Sequence, residues 1–366
     1  CPLRYYLRYG VDLKEREEFT FSPVNFGVVL HAVIREVCDE IKKNGESYYL
    51  ISEEKRREMV KRSVAAITDI YQNSILKDSS RNSFMIKRME DLADRTIWAM
   101  GEQLKCGDFV PFVFEHKFNM EVGDGDRKQL MSGTIDRVDI CENDTDVYVR
   151  IIDYKTGKKD FNIVKTYYGI DIQLMVYMEA AMKLVAKMRP GKNVLPAGVF
   201  YYNISDPIVS ATNESAEEIE DKIKGELRLK GMVNSDKDIA EKMDNTEGTS
   251  LNIPVSRKAD GGFDSRRSKV MNTEQFNMLG RFVDVRAVDT ADRIAGGDIR
   301  RSPYKDGQFS SCDRCPYGAV CGFSVDLPGC NYRKLKKFDD EVLWNNIKEG
   351  VDENGKKMDT SAEERD

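Results

Sequence analysis

Apolar side chains recur at helical spacing near the start of the chain. Phe26, Leu30 and Val37 fall on one face of a helix that begins at Pro23, a residue favoured at the first helical position. The range 52–103 continues with helical patterns whose outer faces are charged. The pattern therefore predicts a helical region ahead of any strand.

The hydrophobic period changes from helical to alternating at Phe112. The stretches FVFEHKFNMEV, QLMSGTIDRVDIC and DVYVRIIDYKTG alternate as strands do, and the turn residues ENDTD separate the last two. A helix is predicted over 168–188, and a further strand in LPAGVFYYNIS. Strands followed by a crossover helix and another strand predict an α/β fold with a mixed central sheet flanked by helices.

Polar residues dominate two later regions. The range 206–262 has one charged helical pattern and little else that is periodic, which predicts an insertion or a surface element, and a last long helix is predicted over 273–295. The range 339–366 carries ten acidic and four basic residues, so it accounts for the whole net charge of -6. Its acidity and its scarcity of aromatic residues predict a disordered tail.

Composition and motifs exclude several classes of protein. No apolar run approaches the roughly 20 residues of a membrane helix, which predicts a soluble, cytoplasmic protein with no membrane partner. The Gly-Lys pairs in RPGKNV and KTGKKD lack the glycine spacing and the hydroxyl residue of a P-loop, so ATP hydrolysis is not encoded here. The chain begins at Cys1 without a methionine, and we therefore expect it to be a segment of a longer protein.

Acidic residues and a lysine occupy the ends of two neighbouring predicted strands. In VYVRIIDYK, alternation places Asp153 and Lys155 on the same face as an apolar stripe. GTIDRVD supplies Asp136 and Asp139 on the adjacent strand. Asp136 and Asp153 offer the oxygen ligands that Mg²⁺ prefers, and the main-chain carbonyl of Tyr154 could add another. Lys155 could then orient water or neutralise charge that grows on a phosphoryl group.

Two further polar side chains belong to the helix that follows these strands. Gln173 and Tyr177 lie four residues apart, so both can face the same strand ends. Structural alternatives stay open, because strands often end in charged residues as they reach solvent, and Tyr177 also suits a core. Asp139 has no assigned role, and Glu115 on the first strand fits either a supporting or a simply exposed position.

Four motifs, taken in order, resemble one known family. GTIDRVD, DYKTG and QLMVY are similar to the three core motifs of the RecB-like branch of the PD-(D/E)XK nuclease superfamily, and GVVLHAVIREV is similar to its preceding helix, which carries a metal-binding histidine. The resemblance implies a metal site with a catalytic lysine and two supporting side chains. These are His31, Asp136 and Asp153 as ligands of Mg²⁺ or Mn²⁺, Lys155 as the catalytic group, and Gln173 and Tyr177 as the support.

Three cysteines in CDRCPYGAVC form an incomplete metal site. Cys312, Cys315 and Cys321 need a fourth ligand, and four thiolates can hold either zinc or an iron-sulfur cluster. The opening CPLRYYLRYG resembles the first cysteine segment of the iron-sulfur nuclease domains of AddB-type proteins. That resemblance implies a 4Fe-4S cluster that Cys1 shares with the other three, acting as a structural clasp. The remaining cysteines are predicted to be packed thiols: Cys38, Cys106, Cys141 and Cys330.

The resemblance also implies a function and its partners. Domains of this type are Mg²⁺-dependent DNA exonucleases that cut one strand of unwound DNA, the 5′-ended strand for AddB-type domains, during double-strand break repair. They act beside an AddA-type subunit and an upstream helicase-like region, which this chain lacks. Candidate contacts to single-stranded DNA are Arg4, Arg8, Lys158, Lys159, Tyr5 and Tyr6. Two alternatives stay open: a DNA-binding scaffold with an inactive nuclease site, and a stand-alone iron-sulfur nuclease of the CRISPR-adaptation type.

These patterns and motifs divide the chain into five predicted segments. The segments are a helical region with the first cluster cysteine (1–108), a nuclease core (109–205), an insertion with a long helix (206–300), a cluster-binding segment (301–338) and an acidic, disordered tail (339–366). The division places every candidate metal ligand except His31 and Cys1 after residue 108.

Overall fold

The computed structural model describes residues 1–14, 23–70, 80–123, 128–210 and 212–363. Six strands form a central sheet, in the same spatial order as they occur along the chain. They are β1 (Val110–Val122), β2 (Gln129–Glu142), β3 (Asp146–Lys155), β4 (Asn193–Asn203), β5 (Lys230–Asn234) and β6 (Val270–Met271). Neighbours are antiparallel except for β3 with β4 and β5 with β6. The prediction of a mixed sheet is confirmed.

Three long helices from the first part of the chain cover one face of the sheet. They are α2 (Pro23–Lys43), α3 (Glu53–Ile70) and α4 (Ser80–Lys105). Val33, Val37 and Ile97 are fully buried and share one apolar cluster with Ile152 of β3. Burying each such side chain contributes roughly 1.5–3 kcal/mol, so this layer anchors the sheet from one side.

Helices from the middle and the end of the chain cover the other face. They are α6 (Gln173–Met188), α9 (Thr273–Ala295) and α11 (Asp340–Glu363). α6 is the crossover between the parallel strands β3 and β4, as predicted, and its Leu174 shares a buried cluster with Val149 and Phe282. α9 begins at a capping box formed by Asn272 and Gln275. No helix within the described parts of the chain is both long enough and apolar enough to cross a membrane.

The range 206–262 is not the insertion that the sequence predicted. It supplies β5 to the central sheet, together with α7 (Ala216–Glu226) and α8 (Lys237–Met243). Leu229, Val233 and Ile239 are buried in the same cluster as the first helical layer. β5 has only five residues between polar stretches, so its alternation is too short to stand out from the surrounding sequence.

The prediction of a disordered tail over 339–366 is wrong for most of that range. Helix α11 begins at Asp340 and continues to Glu363, and residues 364–366 lie outside the described part of the chain. Leu343 and Ile347 are four residues apart, so they share one helix face, and both are buried in the cluster beneath α9. Two well-placed apolar side chains therefore anchor a segment whose composition is otherwise that of a solvated end.

The cysteine segment forms a small unit with the start of the chain. Its elements are β7 (Tyr304–Asp306), β8 (Phe309–Ser310), α10 (Gly318–Cys321) and β9 (Arg333–Lys334), beside α1 (Pro2–Tyr5) and a π-helical turn (Tyr6–Gly10). The Leu3 N–H donates to the Arg300 carbonyl at 3.3 Å. The Tyr317 hydroxyl donates to the Leu13 carbonyl at 2.9 Å. Residues about 300 positions apart are thus in direct contact.

Candidate active site

The two acids of the predicted site lie side by side at one end of β2 and β3. The antiparallel register pairs Arg137 with Ile152, and Asp136 and Asp153 stand one residue beyond that pair. Both are buried, and the main-chain N–H of Tyr154 donates to Asp136 Oδ2 at 2.7 Å. The strand backbone therefore fixes the position of the Asp136 carboxylate.

Three side chains from three elements converge on one point next to these acids. Nδ1 of His31, from α2, lies 3.5 Å from Asp136 Oδ2 and 3.7 Å from Glu115 Oε1. One donor atom from each of His31, Glu115 and Asp136 lies within 4.8 Å of the other two. The predicted ligands His31 and Asp136 are thus brought together, but Glu115 rather than Asp153 completes the compact group.

Glu115 adopts an unusual backbone conformation. Its φ is +47°, in the left-handed region that non-glycine residues rarely occupy. The flanking pairs, Phe114 with Arg137 and His116 with Ile135, place it opposite Asp136 in the register of β1 and β2. Strain of this kind is typical of functional positions. The one sequence signal for Glu115 was a charged residue in the middle of FVFEHKF, on a strand that could neighbour GTID.

Asp153 is held by the other predicted site residues. The Gln173 side-chain amide donates to Asp153 Oδ1 at 3.0 Å and to the Tyr177 hydroxyl at 2.8 Å. The Lys155 ammonium forms a close ion pair with Asp153 Oδ2. That oxygen is buried and has no partner in hydrogen-bond geometry among the described residues. The structure therefore gathers Asp153, Lys155, Gln173 and Tyr177 around a carboxylate with a free coordination position.

Burial and neighbouring charges shift the proton affinities of the site. Burial raises the pKa of Asp153 to about 6, and the adjacent Asp136 carboxylate adds to that rise. Burial alone would lower the pKa of His31, but its hydrogen bonds to Asp136 and Glu115 outweigh burial and raise the pKa to about 10. Burial raises the pKa of Tyr177 to about 12, so its phenol keeps its proton at neutral pH.

The glycine of GTID makes room for the aromatic side of the site. A Cβ on Gly133 would lie 2.8 Å from the Phe118 ring and 3.3 Å from the Tyr177 ring. These two rings meet edge to face, with centroids 5.7 Å apart. A larger residue at position 133 would push Tyr177 away from Gln173, so this glycine helps to position the site.

A buried network continues from Lys155 along β4. Lys155 and Lys159 place their ammonium groups 5.7 Å and 5.3 Å from the centroid of the Tyr201 ring. The Tyr201 hydroxyl donates to Asp171 at 2.7 Å, and Lys159 pairs with the same carboxylate at 3.1 Å. Tyr201 is the partner of Asp153 in the register of β3 and β4. Lys159, predicted as a phosphate contact, is thus already paired with Asp171.

The donor set suits a hard divalent cation. Carboxylate oxygens with one imidazole nitrogen are ligands for Mg²⁺ or Mn²⁺, and the imidazole favours Mn²⁺ somewhat. The buried, unpartnered Oδ2 of Asp153 points to the same conclusion, because a buried anion without a hydrogen bond is costly unless a cation approaches it. His31, Glu115, Asp136 and Asp153 therefore fit a metal ion at this sheet edge.

The four predicted cluster cysteines line a second site. Cys1, Cys312, Cys315 and Cys321 border one cavity of about 100 Å³. Arg4, predicted as a DNA contact, lines this cavity as well. The other cysteines lie elsewhere: Cys38 and Cys141 are buried in the fold, and Cys106 and Cys330 are half-buried.

Comparisons with known proteins agree with this geometry. A family described as the PD-(D/E)XK nuclease superfamily matches residues 1–322. An AddB-type component of the ATP-dependent helicase/deoxyribonuclease from Caldanaerobacter subterraneus subsp. tengcongensis is 34% identical over 377 residues, which is 100% of this chain and 32% of the relative. The corresponding protein of Clostridium acetobutylicum is also 34% identical, over 97% of this chain and 31% of the relative. The chain spans about a third of the length of these relatives.

Proposed function

Because the chain belongs to the PD-(D/E)XK nuclease superfamily, we propose that it hydrolyses phosphodiester bonds of single-stranded DNA in a metal-dependent reaction. The observation that carries the proposal is the convergence of His31, Glu115 and Asp136 beside Asp153 and its lysine. The similarity to AddB-type relatives extends the proposal to the nuclease domain of an AddAB-type helicase-nuclease, acting on the 5′-ended strand during double-strand break repair.

The metal ligands act together in this proposal. His31, Glu115, Asp136 and Asp153 hold Mg²⁺ or Mn²⁺, with the main-chain carbonyl of Tyr154 as a further oxygen. Such a metal ion polarises a phosphoryl oxygen and lowers the pKa of bound water. The left-handed backbone of Glu115 supports its place in this set, since it turns that carboxylate towards the imidazole of His31.

The remaining side chains position the reacting groups. Lys155 carries its charge beside Asp153, where it can orient a water molecule or stabilise charge that develops on the phosphate. Gln173 holds the Asp153 carboxylate from the other side and uses its second N–H to fix Tyr177. Tyr177 keeps its proton at neutral pH, so it serves as a hydrogen-bonding group rather than as a base.

The cysteine site is proposed to hold a 4Fe-4S cluster. Four thiols border one cavity, and no three of them have sulfur atoms within 4.8 Å of one another in the described part of the chain. A tetrahedral zinc site, with Zn–S bonds of about 2.3 Å, brings sulfur atoms to within about 3.8 Å of one another. The wider spacing favours a cluster over a single ion. It would act as a clasp between the two ends of the chain.

The proposed partners follow from the same relatives. An AddA-type subunit and a helicase-like region upstream of Cys1 would deliver an unwound DNA end to the nuclease site. This rests on the name of the relatives, which describes an ATP-dependent helicase/deoxyribonuclease of more than one subunit, and on the share of their length that this chain spans.

The test is cleavage of labelled single-stranded DNA with Mg²⁺, with Mn²⁺ and with EDTA. Asp153→Asn should lower the cleavage rate by at least about a thousandfold, or roughly 4 kcal/mol of activation free energy, because it removes a ligand and the partner of Lys155. Label at the 5′ or at the 3′ end distinguishes the direction of digestion.

A matched control uses the same hairpin. Asp144 lies exposed in the turn between β2 and β3, so Asp144→Asn should cleave at the wild-type rate. Cleavage that persists in EDTA, or in a clean preparation of Asp153→Asn, would contradict the proposed function.

The cluster has its own test. The anaerobically prepared chain should carry about four iron atoms and absorb broadly in the visible range. Cys315→Ser should lower the iron content, while Cys330→Ser, at a half-buried cysteine outside the cavity, should leave it unchanged. One zinc per chain and no iron would show that the site holds the other metal.

A further inference from the structure

A dense run of positive charge crosses the surface between the cysteine cavity and the nuclease site. Residues 333–337, with the sequence RKLKK, are named here the basic strap. Its charged side chains are all exposed: Arg333, Lys334, Lys336 and Lys337. Four like charges in five positions repel one another, so the strap is favoured when an anion lies against it.

The backbone of the strap is fixed by hydrogen bonds, so the charges have a defined position. β9, at the start of the strap, pairs in parallel with β7. The Leu335 N–H donates to the Lys305 carbonyl at 3.1 Å. The Lys336 N–H donates to the Tyr168 hydroxyl at 3.0 Å, and the Phe338 ring stacks on Tyr168. The strap is therefore an ordered surface rather than a solvated tail.

The nearby carboxylates are already paired elsewhere. Asp306 binds Lys165 at 3.2 Å, and Asp298 binds both Arg293 and Arg300. No ion pair joins the strap to a carboxylate within the described ranges. Partial burial and the neighbouring Arg293 guanidinium both lower the pKa of Arg333, as expected in a positive region that lacks a counter-charge.

The strap is joined to the nuclease site through Tyr168, which follows α5 (Ile163–Tyr167). Asp171 comes three residues later and binds Lys159 and the Tyr201 hydroxyl. Tyr201 lies next to Asp153 in the sheet. Because three residues span at most about 11 Å, the strap lies a few nucleotides away from the metal ligands.

We propose that the basic strap binds the phosphate backbone of single-stranded DNA next to the nuclease site. Lysine ammonium groups are mobile point charges that bind phosphates without reading bases, as a nuclease of broad sequence range requires. The identity of the polyanion as DNA rests on the proposed function. An acidic protein segment is the competing polyanion, but the continuity of the strap with the Tyr168–Asp171 connection favours the substrate of the site.

The experiment measures binding without cleavage. The 366-residue chain is titrated with fluorescein-labelled oligo-dT in EDTA, at several salt concentrations. The test variant replaces Lys334, Lys336 and Lys337 by Gln and leaves Arg333, whose Nε donates to the Ser302 carbonyl. Each phosphate contact on single-stranded DNA adds about 0.7 to the salt slope, so three contacts add about 2. Between about 50 and 200 mM salt, the wild type should then lose about 15- to 20-fold more affinity than the variant.

The matched control replaces three exposed lysines on the opposite side of the sheet. Lys61, Lys87 and Lys105 lie on α3 and α4, and their replacement by Gln should leave the slope at the wild-type value. An unchanged slope in the strap variant, or equal losses in both triple variants, would overturn the proposal. Poly-glutamate that competes as well as oligo-dT of equal charge would assign the strap to an acidic protein and would likewise overturn it.

Two further readouts separate this proposal from the proposed nuclease function. Asp153→Asn should bind oligo-dT with the wild-type slope, because it lies outside the strap. A wild-type chain that binds DNA through the strap but never cleaves it would sink the nuclease function alone. The affinity ratio between wild type and strap variant should rise with oligonucleotide length and then level off. A ratio that is independent of length would contradict the placement of the strap beside the site.

Discussion

The same short stretch of β2 supplies two aspartates with opposite surroundings. Asp139 is fully buried on one face of the sheet, where Arg137 makes two hydrogen bonds to it and Arg150 Nε donates to it at 2.8 Å. Asp136 stands three residues earlier beside Asp153, where a half-buried histidine and a lysine provide the nearby positive charge. The first carboxylate is over-neutralised by two guanidinium groups, whereas the second pair crowds two negative charges together.

The contrast separates the needs of the fold from those of the chemistry. The pKa of Asp139 would be raised by burial, but the charges of Arg137 and Arg150 outweigh burial and lower it. The pKa of Asp153 is raised to about 6 by burial and by Asp136. A lowered carboxyl pKa stabilises the folded chain at neutral pH, and a raised one destabilises it. The nuclease face therefore stores an unfavourable charge arrangement that a bound cation relieves.

The largest effect on stability is expected from breaking the arginine pair. Asp139→Asn leaves Arg137 and Arg150 buried without a counter-charge, so it should lower the free energy of unfolding by about 3–5 kcal/mol. Urea unfolding followed by circular dichroism measures this change. Asp144→Asn, in the exposed turn of the same hairpin, should change it by less than about 0.5 kcal/mol. A loss below about 1 kcal/mol at Asp139 would remove the structural half of the comparison.

A smaller effect is expected for metal binding at Glu115. Glu115→Gln removes one charged ligand, and we expect it to weaken Mn²⁺ binding by about 10- to 100-fold, or roughly 1.4–2.7 kcal/mol. Calorimetric titration of the chain with Mn²⁺ gives the affinity. Glu121→Gln, at an exposed position of the same strand, serves as the control. Equal affinities in Glu115→Gln and wild type would limit the metal site to His31 and the aspartates.

The smallest effect is expected at Tyr201. Tyr201→Phe keeps the ring beside Lys155 but loses the hydrogen bond to Asp171, so kcat should fall by about three- to tenfold with little change in KM. Tyr202→Phe is the matched control, because Tyr202 packs on the opposite face against Tyr154. A fall in KM and kcat together, or an equal effect of both variants, would show that Tyr201 does not position Lys155.

Much of the fold and of the site could be predicted because their signals are local. Helical spacing at Phe26 and Leu30 predicted α2, and alternation in VYVRIIDYK placed Asp153 and Lys155 on one face. The rest depends on contacts that no local pattern records. Glu115 joins the site through its left-handed backbone and the register of β1 with β2. The pairing of Asp139 with Arg150 likewise requires the register of β2 with β3.

The central claim is that the nuclease face is destabilised by its own charges while the opposite face is stabilised. The direct test is the free energy of unfolding of metal-free Asp153→Asn, measured from about pH 3.5 to 8 beside Asp139→Asn. Because the folded pKa of Asp153 lies above its ordinary value of 3.8, the wild type loses stability as the pH rises from about 4 through 6. We predict that Asp153→Asn is more stable than the wild type by about 1–3 kcal/mol at about pH 7.5, that this gain disappears near about pH 3.5, and that Asp139→Asn is less stable at neutral pH. A loss of stability of similar size in both variants at neutral pH would contradict the claim.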